Sequence, residues 1–250
     1  MWHVPSTGAV EIVMGSLQTL WQSRFQRICA VGITTTSLWS VAYGLTNAQV
    51  ISAQDSIQTQ IVQEDNRFDI LGGTTADEAK LLFHSFEQFN LAPNHIAEFQ
   101  VAPSVESVFG RITNGLPSHI DGLIQSNGAV NLYLMNPAGV LFGPESAINL
   151  MGDFAVLTAD RLGFSQGNFD LMGHPNNVQG NVLQLHFNSE HPGTIVNLGN
   201  LRVGEQQSLS LIGHTVVNQG TLRGGVINVA AVGFHNNVHL TGEGFQCFLV

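Results

Sequence analysis

The sequence predicts an all-β protein built as a right-handed parallel β-helix, and two observations support this. From Ser107 onward, short apolar runs recur at intervals of about eight to ten residues, separated by Asn, Gly, Pro or Asp, as in a sandwich, a barrel or a solenoid. Residues 194–202 (TIVNLGNLR) and 215–223 (TVVNQGTLR) then match at six of nine positions with an offset of 21 residues. A repeat of that length fits one coil of a solenoid. A sandwich has no reason to repeat at this offset.

The composition argues against several classes of function. Acidic residues outnumber basic ones 18 to 8 among 250 residues. This balance opposes nucleic acid as a partner, because phosphate binding needs clustered Lys and Arg, and it opposes electrostatic docking on an anionic membrane. The two cysteines, Cys29 and Cys247, lie near opposite ends of the chain. They provide no disulfide framework and too few thiolates for a Cys-ligated metal site, so neither a metal nor a cofactor is predicted.

The first 48 residues have the layout of a secretory signal peptide. Arg24 and Arg27 precede an uncharged stretch, and Thr46 and Ala48 then occupy the −3 and −1 positions of a small-residue cleavage site. We therefore expect cleavage after Ala48, with Met14 as an alternative start of the chain. An uncleaved anchor helix is the competing interpretation. It is disfavoured because the Thr and Ser residues at 34–37 interrupt a span that needs about 20 predominantly apolar residues.

The mature chain is expected to begin with a flexible lead-in over residues 49–67, which are rich in Gln, Ser and Asp. Residues 76–83 predict one helix or helical turn. Phe83, Phe86 and Phe89 then recur every three residues, which indicates either a tight helical face or an irregular aromatic cap. In both cases core packing is the expected role of this stripe.

The remaining runs are read as short strands separated by turns, at residues 120–124, 130–134, 140–142, 148–150 and 154–158. Within the 21-residue repeat, matching Val and Leu residues would stack inside the coil. Asn197 and Asn218 would stack at a turn and hydrogen-bond along the axis. Gly199 and Gly220 would supply the positive φ of those turns.

Several segments occur in a fixed order along the chain: LFHSFEQFN (82–90), SVFGRITNGLPSHIDG (107–122), NLYLMNPAGVLFGP (131–144), GDFAVLTADRLGF (152–164) and the repeat region at 193–233. Together they resemble one family, the N-terminal secretion domain of filamentous haemagglutinin-like exoproteins, known as the two-partner-secretion (TPS) domain of TpsA-type proteins. The resemblance covers about residues 68–232. The sequence departs from the family at Ala138, where Asn is usual. The turn should survive, since Gly139 can still adopt a positive φ.

The resemblance implies a β-helix with an N-terminal cap over residues 68–250, and a role in export without a catalytic site. Such a domain crosses the inner membrane through the Sec translocon. It then engages the periplasmic POTRA domains of a cognate TpsB/Omp85-type outer-membrane β-barrel transporter, and it nucleates β-helix folding at the cell surface. The secretion and structural motif that the resemblance implies consists of Asn136, Pro137, Gly139, Gly143, Pro144, Gly152 and Phe154.

Two other functions fit the sequence less well. An enzyme, including a polysaccharide-active one built on a β-helix, is disfavoured, because Gly163–Gly167 matches the G-x-S-x-G nucleophile pattern without the helix that this motif needs. His235 and His239 would lie about 13 Å apart on a strand, too far for one metal ion. A stand-alone adhesin or haemagglutinin module is the nearer alternative. The sequence stops in an apolar run at 245–250, which favours a truncated or split passenger. Contact with a host or neighbouring-cell surface is expected from that downstream passenger.

Overall fold

The structure is a computed structural model that describes residues 48–189, 193–233, 235–240 and 247–249. Apart from Ala48, the predicted signal peptide lies outside the described residues, and its cleavage stays a prediction. Within the described ranges, no helix is long and apolar enough to cross a membrane.

The described residues form strands joined by turns. The strands of the N-terminal part are β1 (Gln49–Ser52), β2 (Thr59–Glu64), β3 (Arg67–Gly72), β4 (Thr74–Ala76), β5 (Leu81–Asn90) and β6 (Ile96–Phe99). The next are β7 (Ser107–Ile112), β8 (Ser118–Ile120), β9 (Leu123–Ser126), β10 (Asn131–Met135), β11 (Gly139–Phe142), β12 (Ala147–Asn149) and β13 (Phe154–Leu157). The last are β14 (Arg161–Gln166), β15 (Asn168–Asp170), β16 (Gln179–Phe187), β17 (Thr194–Asn197), β18 (Asn200–Arg202), β19 (Ser208–Gly213), β20 (Thr215–Asn218), β21 (Thr221–Arg223), β22 (Val226–Ala231), β23 (Asn236–Leu240) and β24 (Cys247–Leu249).

Most of these strands wind through three parallel sheets, so the fold is a parallel β-helix, as predicted. The first sheet has the order β1-β5-β7-β10-β13-β19-β22, the second β12-β9-β6-β3-β2, and the third β20-β17-β11-β8. One coil runs β7, β8, β9 and the next runs β10, β11, β12. Successive coils pair in register, as in Leu132 opposite Phe154 and Val140 opposite Ser118.

Side chains that point into the coils form the inner core. In a strand, alternate residues face the same side, so β10 sends Leu132 and Leu134 inward, and β13 sends Phe154 and Val156 inward, all essentially without solvent exposure. The same alternation leaves Tyr133, Met135 and Ala155 on the outside of the first sheet. The predicted aliphatic stacking inside the repeat is confirmed for Leu201 beside Leu222. It is wrong for the matching pair Val196 and Val217, which are only half-buried, because the strand alternation turns Ile195 and Val216 inward instead.

Antiparallel strands cap the N-terminal end of the coils. Strand β1 pairs antiparallel with β5, and β2 pairs antiparallel with β3 along six residues. The prediction of a flexible lead-in at 49–67 is therefore wrong, because these residues form β1 and β2 of the cap. Their polar side chains suit strands that have solvent on one side.

The helix predicted at 76–83 is also wrong. Asp77, Glu78 and Ala79 have φ values of 50°, 55° and 65°, a left-handed turn that no α-helix contains, and β5 begins at Leu81. The three-residue spacing of the Phe side chains has another cause. Phe83 faces outward, whereas a register shift in the β1–β5 pairing places both Phe86 and Phe89 in the inner core.

An excursion between β13 and β17 builds a fourth layer, which we call the outer sheet. It contains β14, β15 and β16, joined by β23 and β24, all paired antiparallel. The outer sheet packs on the outward face of the first sheet, and the two enclose a second core. Its aromatic members are Phe83, Phe109, Phe164, Phe169 and Phe187. The sequence had not predicted this layer.

Candidate functional site

The seven residues of the predicted motif occupy the three corners of a single coil. Asn136, Pro137 and Gly139 form the turn from β10 to β11, and Gly143 and Pro144 form the turn from β11 to β12. Gly152 lies in the turn from β12 to β13, and Phe154 is the first residue of β13. The sequence motif therefore corresponds to one complete circuit of the β-helix rather than to a pocket.

Asn136 is the hub of the first corner and is only 1% exposed. Its Nδ2 donates to the Leu116 oxygen over 3.1 Å and to Ser118 Oγ over 3.0 Å. Its Oδ1 accepts from the Ala138 amide at 3.0 Å, which fixes the turn locally. Because the bonds to Leu116 and Ser118 reach the preceding coil, Asn136 stabilises the turn and links two coils at once.

The same corner packs on the following coil without space for side chains. Gly139 has φ 113°, as its predicted role requires, and a Cβ there would lie 2.6 Å from the Thr194 oxygen. The Pro137 oxygen accepts a hydrogen bond from the Gly193 amide over 2.8 Å. Ala138 is absent from the residues with positive φ, so the turn tolerates Ala where the family usually has Asn.

The other two corners also depend on close approach between coils. A Cβ on Gly143 would overlap the Asp121 side chain, whose Oδ1 accepts from the Glu145 amide at 2.7 Å. A Cβ on Gly152 would lie 2.8 Å from the Asn131 amide nitrogen. Phe154 is fully buried and meets Phe142 edge to face at 6.3 Å. These contacts explain the motif residues other than Pro144 by close packing and hydrogen bonding between coils.

The predicted asparagine stacking is present in the repeat region. Asn197 Nδ2 donates to Asn218 Oδ1 over 2.8 Å, and Asn197 Oδ1 accepts from the Gly199 amide at 3.1 Å. The reason given for the glycines was wrong, because neither Gly199 nor Gly220 is among the residues with positive φ. They are required by proximity instead: a Cβ on Gly199 would overlap the Gly143 oxygen, and one on Gly220 would overlap the Gly199 oxygen.

Sequence reasoning did not single out the buried Arg111 guanidinium, which has four hydrogen bonds. Arg111 is 1% exposed and donates through four of its N–H groups, to Ser85 Oγ, Asp55 Oδ2 and the backbone oxygens of Asp170 and Gly173. It also lies 5.1 Å from the centre of the Phe169 ring. A basic residue between Phe109 and Ile112 in an apolar strand was the signal that could have indicated a buried charge.

Asp55 is the ionic partner in this cluster, and its side chain is 27% exposed. Partial burial favours the neutral acid. The hydrogen bonds from Ser85 and Arg111, with a further one from the Ile57 amide, outweigh that effect and lower the pKa of Asp55 below its usual value. The cluster is thus an ion pair at neutral pH.

The residues weighed for enzyme chemistry are distributed over the outer sheet and its approach. Ser165 is exposed in β14, and the chain turns back at Gly167 into β15, so the Gly163–Gly167 pattern sits in a hairpin and not before a helix. His235 lies in a turn with φ 56°, and His239 lies in β23. No group of three or more His, Cys, Asp or Glu able to hold a metal occurs in the part of the chain that the structure describes.

Ala48, the predicted cleavage residue, packs half-buried against the inner core immediately before β1. Cleavage after Ala48 would make Gln49, the first residue of β1, the mature N-terminus. The cap strand would then begin the exported chain.

Known proteins match this fold and part of this sequence. The solved secretion domain of HMW1 from Haemophilus influenzae superposes with a TM-score of 0.58 and 22% identity, over 80% of this chain and 47% of that one. The heme/hemopexin-binding protein of Haemophilus influenzae is 33% identical over 116 residues, which cover 44% of this chain and 12% of that protein. This chain thus spans only a small part of its curated relative.

The family model of the TPS secretion domain matches residues 48–246. TPS domains are recognised by a TpsB outer-membrane transporter, and their exoproteins are secreted across the outer membrane. The role of a TPS domain in this secretion is not enzymatic. The match begins at Ala48 and extends through the cap and the coils and through the outer sheet as far as β23. The chain belongs to the family of TPS secretion domains and is the secretion domain of a two-partner-secretion exoprotein.

Proposed function

We propose that this domain directs export in three steps: passage through the Sec translocon, recognition by the periplasmic POTRA domains of a cognate TpsB transporter, and nucleation of β-helix folding outside the cell. The observation that carries the proposal is the asymmetry of the β-helix. Antiparallel strands cap its N-terminal end, whereas β20, β21 and β22 each have one neighbour among the described strands. Further coils could add at those open edges, since each coil of a solenoid contacts mainly its neighbours.

Recognition by a POTRA domain would use an unpaired strand edge. Strand β2 is the last strand of the second sheet and has β3 as its neighbour in the described structure. It exposes most of its residues, including Val62 at 47%. An added strand could hydrogen-bond to this edge, and Val62 would offer an apolar contact, as in other cases of strand addition.

The experiment is co-expression with a candidate TpsB transporter, followed by assay of the chain at the cell surface and in the medium. The variant Asn136→Ala plus Pro137→Ala should abolish or strongly reduce secretion, because it removes the hub of one coil. The matched control is Pro93→Ala plus Asn94→Gly. These two residues are exposed between β5 and β6, and Gly tolerates the φ of 62° at Asn94.

The compartment in which the Asn136/Pro137 variant accumulates separates the Sec step from the outer-membrane step. A secretion defect with accumulation in the periplasm places the fault at the outer membrane, after the Sec step. Unchanged secretion of the Asn136/Pro137 variant would show that the role proposed for this motif is wrong. Binding of haem or hemopexin, which the name of the curated relative states for that protein, is not proposed here, because the match spans only 12% of that protein.

A further inference from the structure

We propose that the excursion into the outer sheet latches the N-terminal cap in place, and that Arg111 is the link. Three parts of the chain that are remote in sequence meet at this one buried guanidinium. The coupling belongs to the folded domain alone and does not depend on the proposed export function.

Arg111 lies between the cap and the excursion. Arg111 belongs to β7 and lies opposite Ser85 of β5, on the outward face of the first sheet. It binds Asp55, in the connection between β1 and β2, which lies 56 residues earlier in the chain. It binds the oxygens of Asp170 and Gly173, in the excursion, 59 and 62 residues away in the other direction.

The cap connection and the excursion also share apolar packing and a further hydrogen bond, besides their contacts with Arg111. Ile57, two residues after Asp55, is fully buried in the second core with Phe164, Phe169 and Leu185 of the outer sheet. The Gly180 amide also donates to Asp77 Oδ2 over 3.1 Å, which ties β16 to the turn before β5. The cap and the excursion therefore close over one shared interior.

A buried charge affects stability very differently with and without its partners. A guanidinium with all its partners in place is tolerated, but one that loses a partner while staying buried is strongly destabilising. Arg111 is thus satisfied only when both the cap connection and the 170–173 turn are in position. Displacement of the excursion should loosen β1 and β2, although neither strand pairs with the outer sheet.

Hydrogen–deuterium exchange on the purified full chain tests this coupling. The variant Gly173→Val forces a side chain onto a residue with φ 106° and displaces the carbonyl that accepts from Arg111, without meeting any atom within 4 Å. Exchange of the β1 and β2 amides should rise at least about a hundredfold, as expected when a buried charge loses a partner. The matched control is Gly115→Val, which has φ 74°, equally open surroundings and no bond to Arg111; it should leave β1 and β2 unchanged.

Two further variants make the test decisive. In an Arg111→Met background, which removes the charge and keeps an apolar chain, Gly173→Val should no longer speed exchange in β1 and β2. Coupling is reciprocal, so the milder Asp55→Asn should speed exchange at residues 168–173. The proposal is overturned if Gly173→Val leaves β1 and β2 at the wild-type rate, if its effect persists with Met at position 111, or if Asp55→Asn affects the cap alone.

Discussion

Asn197 donates a hydrogen bond through Nδ2 to Oδ1 of Asn218, 2.8 Å away and one coil further along the β-helix. Asn197 is fully buried, and its side chain also binds both backbone groups of Gly199. Asn218 occupies the equivalent position but is exposed. The two residues repeat in sequence, yet only one of them has its amide enclosed.

This difference predicts unequal effects of the same substitution. Asn197→Ala should lower the free energy of unfolding by about 2 kcal/mol or more, because it leaves the buried amide of Gly199 without a partner. Asn218→Ala, the matched control, should lower it by less than about 1 kcal/mol, since water can replace its contacts. Urea denaturation of both variants measures the comparison. Equal losses would contradict the assigned difference between the two coils.

The coils could be predicted from sequence because their contacts repeat there. β17 and β20 lie 21 residues apart with no insertion between them, so the repeat is visible as matching letters. The passage from the β13 coil to the β19 coil is not visible as a repeat in the sequence, because the excursion intervenes. The hydrogen bond from the Ser208 amide to Asp153 Oδ1 spans 55 residues, whereas the equivalent bond from the Asp153 amide to Asn131 Oδ1 spans 22. No repeat search at a fixed period would align β13 with β19.

The cap and the buried charge could not be predicted for a different reason, which is that tertiary contacts determine them. The Phe83, Phe86 and Phe89 spacing suits a helix locally, but pairing with β1 and β7 imposes a strand with a bulge. Arg111 gains its carboxylate and carbonyl partners only when chain segments more than 50 residues away converge on it. Local patterns carry no information on that convergence.

The glycine corners predict that a single methyl group is destabilising where coils touch. Gly199→Ala should lower the free energy of unfolding by about 3 kcal/mol or more, because the added Cβ overlaps the Gly143 oxygen and the Ser146 side chain. Gly204→Ala is the control: Gly204 is exposed, its φ is not positive, and a Cβ there would lie 3.3 Å from the flexible Gln207 side chain. That substitution should change stability by less than about 1 kcal/mol. A Gly199→Ala protein as stable as the control would show that the coils can separate at this corner.

Asn136 predicts the local energetics of the motif, separately from secretion. Asn136→Ala should lower the free energy of unfolding by about 2 kcal/mol or more, since Ser118 and the Leu116 oxygen lose their buried partner. Ala138→Asn, which restores the residue usual in the family, should have little effect, because Ala138 does not need a positive φ. Thermal unfolding of the purified chain measures both. If Ala138→Asn raised stability as much as Asn136→Ala lowers it, position 138 and not position 136 would control this turn.

A buried histidine predicts the pH dependence of stability. His84 is fully buried in the inner face of β5, and its Nδ1 lies 3.3 Å from Thr59 Oγ1. The Thr59 oxygen also accepts from the Ser85 amide. The second ring nitrogen of His84, Nε2, is buried and has no partner within the described structure, so nothing there stabilises a protonated ring. Burial lowers the pKa of His84 to about 3, from 6.5 in an exposed ring.

Because the folded pKa lies below the unfolded one, the unfolded chain takes up the proton first as the pH falls. The contribution of the neutral His84 ring to the free energy of unfolding is therefore fully present above about pH 6.5. It declines as the pH falls towards 3, with a slope of up to about 1.4 kcal/mol per pH unit. Urea denaturation between pH 7.5 and pH 5.0 should show the decline in the wild type. His84→Leu should reduce the slope by about one proton, and His235→Gln, at an exposed turn, should not. A His84→Leu slope equal to that of the wild type would mean that the ring is already protonated, or reaches water, in the folded state.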